Sequence, residues 1–453
     1  MRKFQKILIA NRGEIAIRVI RTLKEMGISS VAVFSEADRS SLHVREANES
    51  VCIGPAPATE SYLNMEAVIQ AAKITGAQAV HPGYGFLSEN PAFSDACRKN
   101  GIVFIGPNPA SMKMLGYKST ARNLAVRSKI PVSPGTRGCI SKHFKKEADK
   151  IGYPIMIKAA AGGGGKGIRV VRESARLEHE AKMAQAEAKA AFKNGDIYFE
   201  KYIERPRHVE VQFARDSRGN AVAFPERDCT LQRRHQKLLE ESPSPAVNRE
   251  TRKKLMDAAI RLAETSNYVG VGTVEFLLDK AGNFYFMEVN TRLQVEHPVS
   301  EFITATDLVK EQILIAAGGS ISVKQSQISN FRGHAIEHRI NAEDVSRDFL
   351  PSPGKIKEFV PPGGQWVRLD THIYQGYDLP FYYDSMLAKL IIWGVDRKEA
   401  IARSKRALNE FFVKGIPTTI HLHKLLIDDE NFVQGNVHTG YMEEFLKKNQ
   451  NKL

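Results

Sequence analysis

Along the first 110 residues, short apolar runs alternate with longer segments in which apolar residues recur every three or four positions. The short runs predict β-strands, and they lie at Lys6 to Ala10, Ser30 to Phe34, Ala79 to Val80 and Ile102 to Ile105. The spacing of apolar residues from Ile15 to Leu23 predicts a helix over 14–26, with Gly27 at its C-terminal cap. Strands that alternate with helices predict a doubly wound parallel sheet, and hence an α/β fold for this region.

The pattern changes after about residue 110. The next elements are predicted as strands at Ile155 to Lys158 and Ile168 to Val171, an alanine-rich helix from about Glu173 to Phe192, and an apolar run at Ile197 to Ile203. Farther on, Thr273 to Leu278 and Phe284 to Val289 predict a hairpin around a turn. From these patterns we predict an α/β domain over about the first 110 residues, a small middle domain that ends near Ile197 to Ile203, and a larger α+β domain over the remainder.

Length and composition narrow the class of protein. The chain has 453 residues, of which 42% are hydrophobic and 26% charged, as in a globular protein with room for about three domains. Apolar stretches such as Leu390 to Trp393 are far shorter than the roughly 20 residues that a membrane-spanning helix needs, so we expect no membrane partner. Met1 to Lys6 lead directly into a strand and leave no room for a cleavable signal, so we expect a cytoplasmic protein.

The four cysteines support the same compartment. Cys52, Cys97, Cys139 and Cys229 are far apart in the sequence and show neither a CxxC motif nor the spacing of a metal ribbon. We predict four free, buried thiols, as is typical of a protein in a reducing cytoplasm.

The charge balance is basic. Lysine and arginine total 65 against 51 acidic residues, which leaves a formal net charge of +14. The basic residues are scattered, and clusters such as Arg252 to Lys254 are short, so this balance does not favour a nucleic-acid partner. The excess is compatible with a phosphorylated substrate or an acidic protein partner.

A glycine-rich loop is the first candidate for chemistry. Residues 162–167 read GGGGKG and are followed by the strand-like run Ile168 to Val171. A Rossmann or P-loop motif would open a helix here, and a P-loop would also need Ser or Thr at Gly167. A glycine turn between antiparallel strands instead predicts a flap whose backbone N–H groups can close over a triphosphate, with Lys158 beside it. The alternatives are a flexible surface loop and a lysine at an exposed strand end.

Two glutamates interrupt the apolar strands of the predicted hairpin. Glu288 and Asn290 share one strand face, and pairing through the turn can bring Glu275 alongside. Carboxylate and amide oxygens are the ligands that Mg²⁺ takes when it also holds nucleotide phosphates. The alternative is that Glu275 and Glu288 are surface residues in salt bridges. This alternative suits either glutamate alone better than it suits both together.

The segment that follows carries a cation, an amide and a base. If it is extended, Arg292, Gln294 and Glu296 fall on one face, which suits a small oxyanion that must be held and deprotonated. Arg339 is a further candidate for stabilising developing negative charge, with a structural ion pair as the alternative.

Together these motifs resemble the biotin carboxylases of the ATP-grasp superfamily. The resemblance is carried by the glycine flap, by Glu275, by 288–298 (EVNTRLQVEHP) and by 81–90 (HPGYGFLSEN), and it runs from Asn11 through almost the whole chain. It implies an N-terminal biotin-carboxylase-type α/β domain at 1–113, a central ATP-grasp region at 114–330 whose glycine-loop lid is a subdomain at about 131–203, and a C-terminal biotin-carboxylase-type α+β domain at 331–453. Ala161 and Lys166 differ from some members of the family, and both changes preserve the physical character of the flap.

The resemblance also implies a reaction. ATP, with Mg²⁺ or Mn²⁺, phosphorylates bicarbonate to carboxyphosphate, which yields CO₂ for transfer to biotin borne by a separate carrier protein. The implied partners are that carrier, the carboxyltransferase subunits of an acetyl-CoA carboxylase, and a second copy of the chain. A subunit of a pyruvate, propionyl-CoA or methylcrotonyl-CoA carboxylase is the nearest alternative. Another ATP-grasp ligase, or an inactive protein that docks an acidic carrier, are further alternatives.

Residue roles follow from the resemblance position by position. Phosphate contacts are implied for Lys118, Lys158, Gly162, Gly163, Gly164, Gly165, Lys166 and Gly167, and a nucleoside pocket for Glu200, Lys201, Ile203, His208, Gln232 and His235. Metal binding is implied for Glu275, Glu288 and Asn290, and bicarbonate binding for Lys237, Arg292, Gln294 and the Val295 backbone. The implied catalytic residues are Glu296 as general base, with Arg292, Lys237 and Arg339, and the implied biotin contacts are Arg339, Tyr84 and Gly85.

One lysine motif needs a different interpretation. Met112-Lys113-Met114 matches the core of a biotinylation site, but it lies in a stretch with helical periodicity rather than on a hairpin of a small β-domain. We therefore interpret it as part of a packed helix and expect no biotin attached to this chain.

Overall fold

The computed structural model describes residues 3–136, 138–160, 168–192 and 194–453 of the chain. The glycine loop at 162–167, together with Ala161, lies outside these described residues. Within them, no helix is both long enough and apolar enough to cross a membrane.

The N-terminal region is a parallel sheet flanked by helices. Its elements are β1 (Lys6–Ile9), α1 (Gly13–Glu25), β2 (Ser29–Phe34), α2 (Leu42–Glu46), β3 (Glu49–Cys52), α3 (Met65–Thr75), β4 (Ala79–His81), α4 (Pro91–Lys99) and β5 (Val103–Phe104). The strands are parallel in the order β3-β2-β1-β4-β5. Ile7 and Ile9 pack in one apolar cluster and Leu8 in another, because alternate side chains of a strand point to opposite faces. The predicted doubly wound sheet is confirmed.

The middle region contains a small antiparallel sheet packed against two of its helices, Phe144–Ile151 and Ser174–Phe192. Its elements are α5 (Pro109–Gly116), α6 (Lys118–Arg127), α7 (Phe144–Ile151), β6 (Ile155–Ala159), β7 (Ile168–Val171), α8 (Ser174–Phe192) and β8 (Ile197–Lys201). The sheet order is β7-β6-β8, and Ile155 pairs with Val171 across the glycine loop. The two strands that flank the loop are therefore antiparallel, as predicted. Met112 is buried in α5, which confirms the helical interpretation of the lysine motif.

A large antiparallel sheet forms the centre of the molecule. Its first strands, with the helix packed against them, are β9 (Arg207–Arg215), β10 (Ala221–Ala223), β11 (Arg227–Arg233), β12 (Gln236–Ser242), α9 (Arg249–Thr265), β13 (Gly270–Leu278) and β14 (Phe284–Asn290). The hairpin of β13 and β14 confirms the predicted one. Apolar side chains of β9, β13 and α9 form a single buried cluster beneath this part of the sheet.

The remaining elements extend this sheet and cover it. They are α10 (His297–Thr304), α11 (Leu308–Ala316), α12 (Gln325–Ser329), β15 (His334–Asn341), β16 (Glu343–Asp344), β17 (Leu350–Pro351), β18 (Gly354–Lys355), β19 (Glu358–Val360), β20 (Val367–Thr371), β21 (Asp378–Leu379), β22 (Met386–Gly394), α13 (Arg397–Glu410), β23 (Phe412–Lys414), α14 (Ile420–Ile427), α15 (Glu430–Gln434) and α16 (Tyr441–Lys448). The strand order is β14-β13-β9-β11-β12-β15-β22-β20, with β10 paired to β9. Strands on both sides of residue 330 thus share one sheet, and this continuity lets side chains from distant parts of the sequence meet on one face.

The prediction of four buried cysteines is wrong for two of them. Cys97 and Cys229 are buried, but Cys52 and Cys139 are exposed, and all four thiols are free. Cys52 ends β3, the edge strand of the parallel sheet, where the apolar face is incomplete. Cys139 lies in the loop between α6 and α7, outside the apolar cluster of the small sheet.

Candidate functional site

Four charged residues form a row across the large sheet. Glu288 on β14 pairs in register with Glu275 on β13, Glu275 pairs with Glu210 on β9, and Glu210 pairs with Arg227 on β11. Directly paired residues of antiparallel strands project from the same face. The row therefore places three carboxylates and one guanidinium side by side, and the expected proximity of Glu275 and Glu288 is present.

Lys237 on β12 joins this row to the segment after β14. Its ammonium is 2.5 Å from Glu296 Oε1, 2.7 Å from Glu210 Oε2 and 3.2 Å from Glu275 Oε1. Burial lowers the pKa of Lys237, but Cys229 and the three glutamates outweigh it and raise that pKa well above its usual value. Lys237 is therefore a fixed positive charge, surrounded by acidic groups, at the centre of the cluster.

Glu296 is held between two cations. Its second oxygen accepts a 2.8 Å bond from Arg339 Nη2 on β15, while Lys237 contacts the first. Burial raises the pKa of Glu296, but Lys237, Arg339 and Arg227 together hold it well below its usual range. The carboxylate is ionised, as a general base must be before it can accept a proton.

The segment 291–296 is not extended, so the expectation that Arg292, Gln294 and Glu296 share one strand face is wrong. β14 ends at Asn290, the chain bends, and α10 begins at His297. Side chains from elsewhere hold these bends: Glu89 accepts from the Thr291 amide at 2.9 Å, and Arg227 donates to Gln294 Oε1 at 2.6 Å.

The three side chains nevertheless reach one cluster. Arg292 Nη2 donates to Asn290 Oδ1 at 3.1 Å, while Gln294 Nε2 and Asn290 Nδ2 each donate to Glu275 Oε1 at 2.8 Å. Arg292 also bonds Glu89 through Nε at 2.8 Å. The bends replace the predicted strand geometry with a compact turn whose polar groups point toward Glu275.

The acidic pair Glu275 and Glu288 suits a divalent cation. Burial raises the pKa of Glu275, but Lys237 and His208 lower it below its usual value, so that carboxylate is ionised. Burial and the adjacent Glu275 charge raise the pKa of Glu288. Glu288 is more exposed than Glu275, and among the described residues it pairs with Lys118, whose Nζ lies 3.9 Å away. A cation between the two carboxylates would relieve their repulsion.

Two further clusters of potential metal ligands lie next to this pair, and one of them includes Glu275. His208, Glu210 and Glu275 bring their ligand atoms within 4.8 Å of one another, as do Glu210, Cys229 and Glu296. His208 Nε2 is 3.1 Å from Glu275 Oε2. Burial lowers the pKa of His208, but Glu275 outweighs it and raises that pKa. Lys237 contacts both Glu210 and Glu275, so a protein cation already balances their negative charge. The cluster of His208, Glu210 and Glu275 therefore suits a metal ion less well than the pair of Glu275 and Glu288 does.

The predicted phosphate and nucleoside residues lie around β6 and β8 of the small sheet. Lys158 Nζ bonds Glu200 Oε2 at 2.6 Å, and Arg122 Nη1 is 3.5 Å from Glu200 Oε1. Lys201 Nζ donates to the carbonyls of Gly152 and Tyr153, so its ammonium is occupied by the backbone. Lys158 and Glu200 thus form one charged pair beside the strand that leads into the glycine loop.

The remaining predicted residues lie at the margins. Gln232 pairs with Lys237 across the β11–β12 hairpin, and His235 is exposed in its turn with φ of +66°. Ile203 is half-buried after β8. The Tyr84 hydroxyl is buried without a hydrogen bond among the described residues, and Gly85 beside it is exposed with φ of +70°.

Two central residues could not be identified from the sequence. Arg227 is fully buried, and its guanidinium donates to Glu210, Gln212, Thr273, Gln294 and Ser300. Glu210 bonds both Arg227 and Lys237. The available signal was that polar residues alternate with apolar ones along 208–213 (HVEVQF). Polar residues repeated on one strand face are compatible with solvent exposure as well as with a buried site.

Family models match three successive parts of the chain. Residues 3–112 match the N-terminal domain of biotin carboxylase, and residues 337–444 match its C-terminal domain. Residues 117–324 match the ATP-binding domain of the carbamoyl-phosphate synthase large chain, which belongs to the ATP-grasp superfamily. Together the three models cover most of the sequence, and their order along the chain is that of the N-terminal, central and C-terminal regions of the structure.

Whole proteins give the same result. The chain is 52% identical over 447 residues to a biotin carboxylase of Nostoc sp., covering 98% of this chain and 100% of that protein. It is 49% identical over 444 residues to a pyruvate carboxylase subunit of Methanothermobacter thermautotrophicus, covering 98% of this chain and 90% of that protein. Both similarities therefore extend through the carboxylate row and the turn that follows it.

A solved structure shares the complete fold. The biotin carboxylase domain dimer of Hydrogenobacter thermophilus 2-oxoglutarate carboxylase, in complex with MgADP, ADP and bicarbonate, superposes with a TM-score of 0.91 at 43% identity. The match covers 98% of each chain. From the carboxylate row, the Lys237 cluster and these full-length similarities, we conclude that the chain belongs to the biotin carboxylase family of ATP-grasp enzymes, which carboxylate biotin at the expense of ATP.

Proposed function

We propose that this chain is the biotin carboxylase subunit of an acetyl-CoA carboxylase, acting on biotin borne by a carrier protein. The observation that carries the chemical part of this proposal is the contact of Lys237 and Arg339 with the same carboxylate, Glu296, beside the metal-suited pair Glu275 and Glu288. The cluster offers two cations, one base and a place for a divalent ion within one face of the sheet.

Bicarbonate fits the turn at 291–296 by charge and by hydrogen bonding. Lys237, Arg292, Gln294 and the Val295 amide supply donors to an oxyanion, and Glu296 accepts its proton. Without substrate, Lys237 and Arg339 keep Glu296 a weak base. An anion that shares those cations weakens their hold on the carboxylate, so binding itself raises the basicity of Glu296.

The carboxylates of Glu275 and Glu288 would bind a magnesium ion, with Asn290 adjacent to it. The raised pKa of Glu288 next to ionised Glu275 is the observation that supports this assignment. Bound there, Mg²⁺ supplies positive charge to the triphosphate of ATP. Glu275 is meanwhile oriented by Asn290, Gln294 and Lys237, which fix its oxygens before any ligand arrives.

The reaction proceeds in two bond-making steps. A bicarbonate oxygen forms a bond to the γ-phosphorus of ATP as the bond from that phosphorus to ADP breaks, which gives carboxyphosphate. Carboxyphosphate then separates into CO₂ and phosphate, the phosphate takes the N1 proton of biotin, and N1 bonds to the carbon of CO₂. Arg339 stabilises the negative charge that develops on the ureido oxygen. Tyr84 and Gly85 complete the biotin side.

In this proposal, ATP binds between the small sheet of β6, β7 and β8 and the large antiparallel sheet. Lys118, Lys158 and the glycine loop at 162–167 contact its phosphates, and Lys158 exchanges Glu200 for a phosphate oxygen. Glu200, Lys201, Ile203, His208, Gln232 and His235 line the nucleoside pocket. Lys201 contributes through its backbone, because its ammonium is bound to carbonyls at 152 and 153.

The proposal extends to partners and compartment. The carrier protein, the carboxyltransferase subunits and a second copy of this chain are the proposed partners. The dimeric state of the Hydrogenobacter domain supports the last of these. Four free thiols, two of them exposed, suit a reducing cytoplasm.

Coupled turnover tests the activity. ADP formation by the purified chain is expected to require Mg²⁺ and bicarbonate and to rise when biotin is added. ATP hydrolysis that is equally fast after bicarbonate has been removed would overturn the proposed reaction.

The acyl acceptor has a second candidate. Identity of 49% to the Methanothermobacter pyruvate carboxylase protein favours a pyruvate carboxylase complex as the alternative. Purification of the native complex, followed by carboxylation assays with acetyl-CoA and with pyruvate, separates the two. Product from acetyl-CoA alone supports our proposal, and product from pyruvate alone replaces it with the alternative.

A further inference from the structure

A lysine is fully buried beneath the turn that carries Glu296. Lys389 lies in the middle of β22, and its side chain is 0% exposed. It pairs in register with Arg339 on β15 and with Asp370 on β20. A buried ammonium is costly unless charged and hydrogen-bonding partners surround it, so the identity of those partners indicates its role.

Three acceptors surround the ammonium. Lys389 Nζ is 3.1 Å from Glu14 Oε2 at the start of α1, 4.0 Å from Asp370 Oδ2, and donates to the Val295 carbonyl at 3.1 Å. Asp370 is already bound by both ends of the Arg368 guanidinium. Glu14 is therefore the main charge partner of Lys389, and the Val295 carbonyl is the acceptor in the turn.

The Val295 carbonyl is a sensitive point in that turn. Between the end of β14 at Asn290 and the start of α10 at His297, the backbone has neither a strand nor a helix to hold it. The carbonyl belongs to the planar peptide that joins Val295 to Glu296. Fixing its oxygen fixes the plane of that peptide, and so the relative positions of the Val295 and Glu296 Cα atoms, from which the Val295 amide and the Glu296 side chain extend.

We propose that Lys389 is a positioning residue for bicarbonate, because its ammonium holds the Val295 carbonyl and so sets the turn that binds and deprotonates the substrate. This inference rests on the proposed function, in which bicarbonate binds at this turn. Lys389 touches no substrate itself. Glu14 balances the charge of the buried ammonium, whereas the bond to the Val295 carbonyl is the contact of Lys389 with the turn.

The experiment replaces the ammonium without leaving a lone buried charge. The test variant is the double substitution Lys389→Met with Glu14→Gln, and Glu14→Gln alone is the matched control. Both are assayed for biotin-dependent ADP formation while bicarbonate and ATP are varied separately, and thermal unfolding is followed in parallel. If the Met variant does not fold, Lys389→Gln with Glu14→Gln keeps a neutral amide at the site and is judged by the same criterion.

The expected result is a rise of about tenfold or more in the KM for bicarbonate of the double variant, with the KM for ATP within about twofold of wild type, as loss of one charge-assisted hydrogen bond implies. The control is expected to stay within about twofold for both substrates. An unchanged bicarbonate KM in a folded double variant overturns the inference. Wild-type protein without bicarbonate-dependent ADP formation overturns the proposed function instead, so the two failures are distinguishable.

Discussion

Two buried ion networks in this protein differ in how completely they are satisfied. In the N-terminal region, Arg12 binds Asp38 through two hydrogen bonds, of 2.6 and 2.8 Å, and Tyr62 donates a third to the same carboxylate at 2.6 Å. In the functional site, Arg339 must serve both Glu240 and Glu296, and Lys237 serves three glutamates.

The excess of acid continues behind Arg339. Glu337 lies opposite Glu240 on neighbouring strands, and neither of its oxygens has a hydrogen-bond donor among the described residues. Burial raises the pKa of Glu240 to about 7 and that of Glu337 well above its usual value. The first network is a closed structural pair, whereas the second holds more carboxylates than its cations can satisfy. Such a site is ready to take up protons or cations, and this is the difference on which the following predictions depend.

The largest effect is expected for Glu296→Ala. Removing the proposed base lowers biotin-dependent ADP formation by about 10³-fold or more, in line with the contribution of a positioned general base. ATP affinity stays close to wild type, because Glu296 belongs to the bicarbonate side. Steady-state turnover and nucleotide binding measure the two quantities. Glu410→Ala, at an exposed pair with Arg406, is the control, and turnover of Glu296→Ala at the control rate would remove Glu296 from the mechanism.

The closed network should respond in stability rather than in rate. Arg12→Gln leaves Asp38 buried without its cation and lowers the free energy of unfolding by about 3–5 kcal/mol. Denaturant unfolding measures the loss, and turnover per folded molecule should remain near wild type. A variant with unchanged stability and reduced turnover would show that this network is part of the site instead.

Arg339→Gln makes the matched substitution in the unsatisfied network. Turnover with biotin falls by about 10²- to 10³-fold, the usual loss when one stabiliser of developing charge is removed. The stability loss should be smaller than for Arg12→Gln, because Glu240, with its pKa raised to about 7, can take up a proton when its cation is gone. An equal stability loss in the two arginine variants would contradict the proposed contrast between the networks.

The smallest predicted effect is one of pH, and it contrasts Glu14, the buried partner of Lys389, with Asp38 of the closed network. Burial raises the pKa of Glu14 to about 6 although Lys389 opposes the shift. Folded wild type therefore keeps this proton up to a higher pH than the unfolded chain does. As the pH rises from 4.5 through 6, the free energy of unfolding of wild type decreases. Glu14→Gln lacks that loss, so its stability relative to wild type should increase by about 2 kcal/mol between pH 4.5 and pH 7.

Asp38→Asn should show the opposite trend. Burial raises the pKa of Asp38, but Arg12 outweighs it and lowers that pKa below its usual value. Wild type thus gains stability relative to Asp38→Asn as the pH rises into the ordinary aspartate range, keeps that gain above it, and loses it on acidification. Unfolding curves at several pH values check both variants, and pH trends of the same sign would contradict the opposite pKa shifts of Glu14 and Asp38.

Local sequence patterns predicted most of the fold. The strands on either side of the glycine loop and the hairpin of β13 and β14 were predictable, because their apolar periodicity and turn residues lie within a few positions of each other. The pairing of Glu275 with Glu288 followed from the same hairpin. The doubly wound sheet followed from the alternation of strands and helices.

The turn at 291–296 was not predictable in the same way. Its bends depend on Glu89 and Arg227, which come from distant parts of the sequence and meet the turn only after the sheet has formed. Lys389 likewise looks like one polar residue in an apolar strand until its three partners are in place. Exposure of Cys52 depends on the position of β3 at a sheet edge, which strand periodicity does not indicate.

The central claim is that bicarbonate is phosphorylated at the cluster of Lys237, Glu296 and Arg339, and oxygen-isotope transfer tests it most directly. Wild-type protein is supplied with Mg²⁺, ATP, biotin and bicarbonate labelled with ¹⁸O, and the released phosphate is analysed by mass spectrometry. Carboxyphosphate formation predicts that each phosphate carries one oxygen from bicarbonate. Phosphate that contains only oxygen from ATP and water would contradict the account.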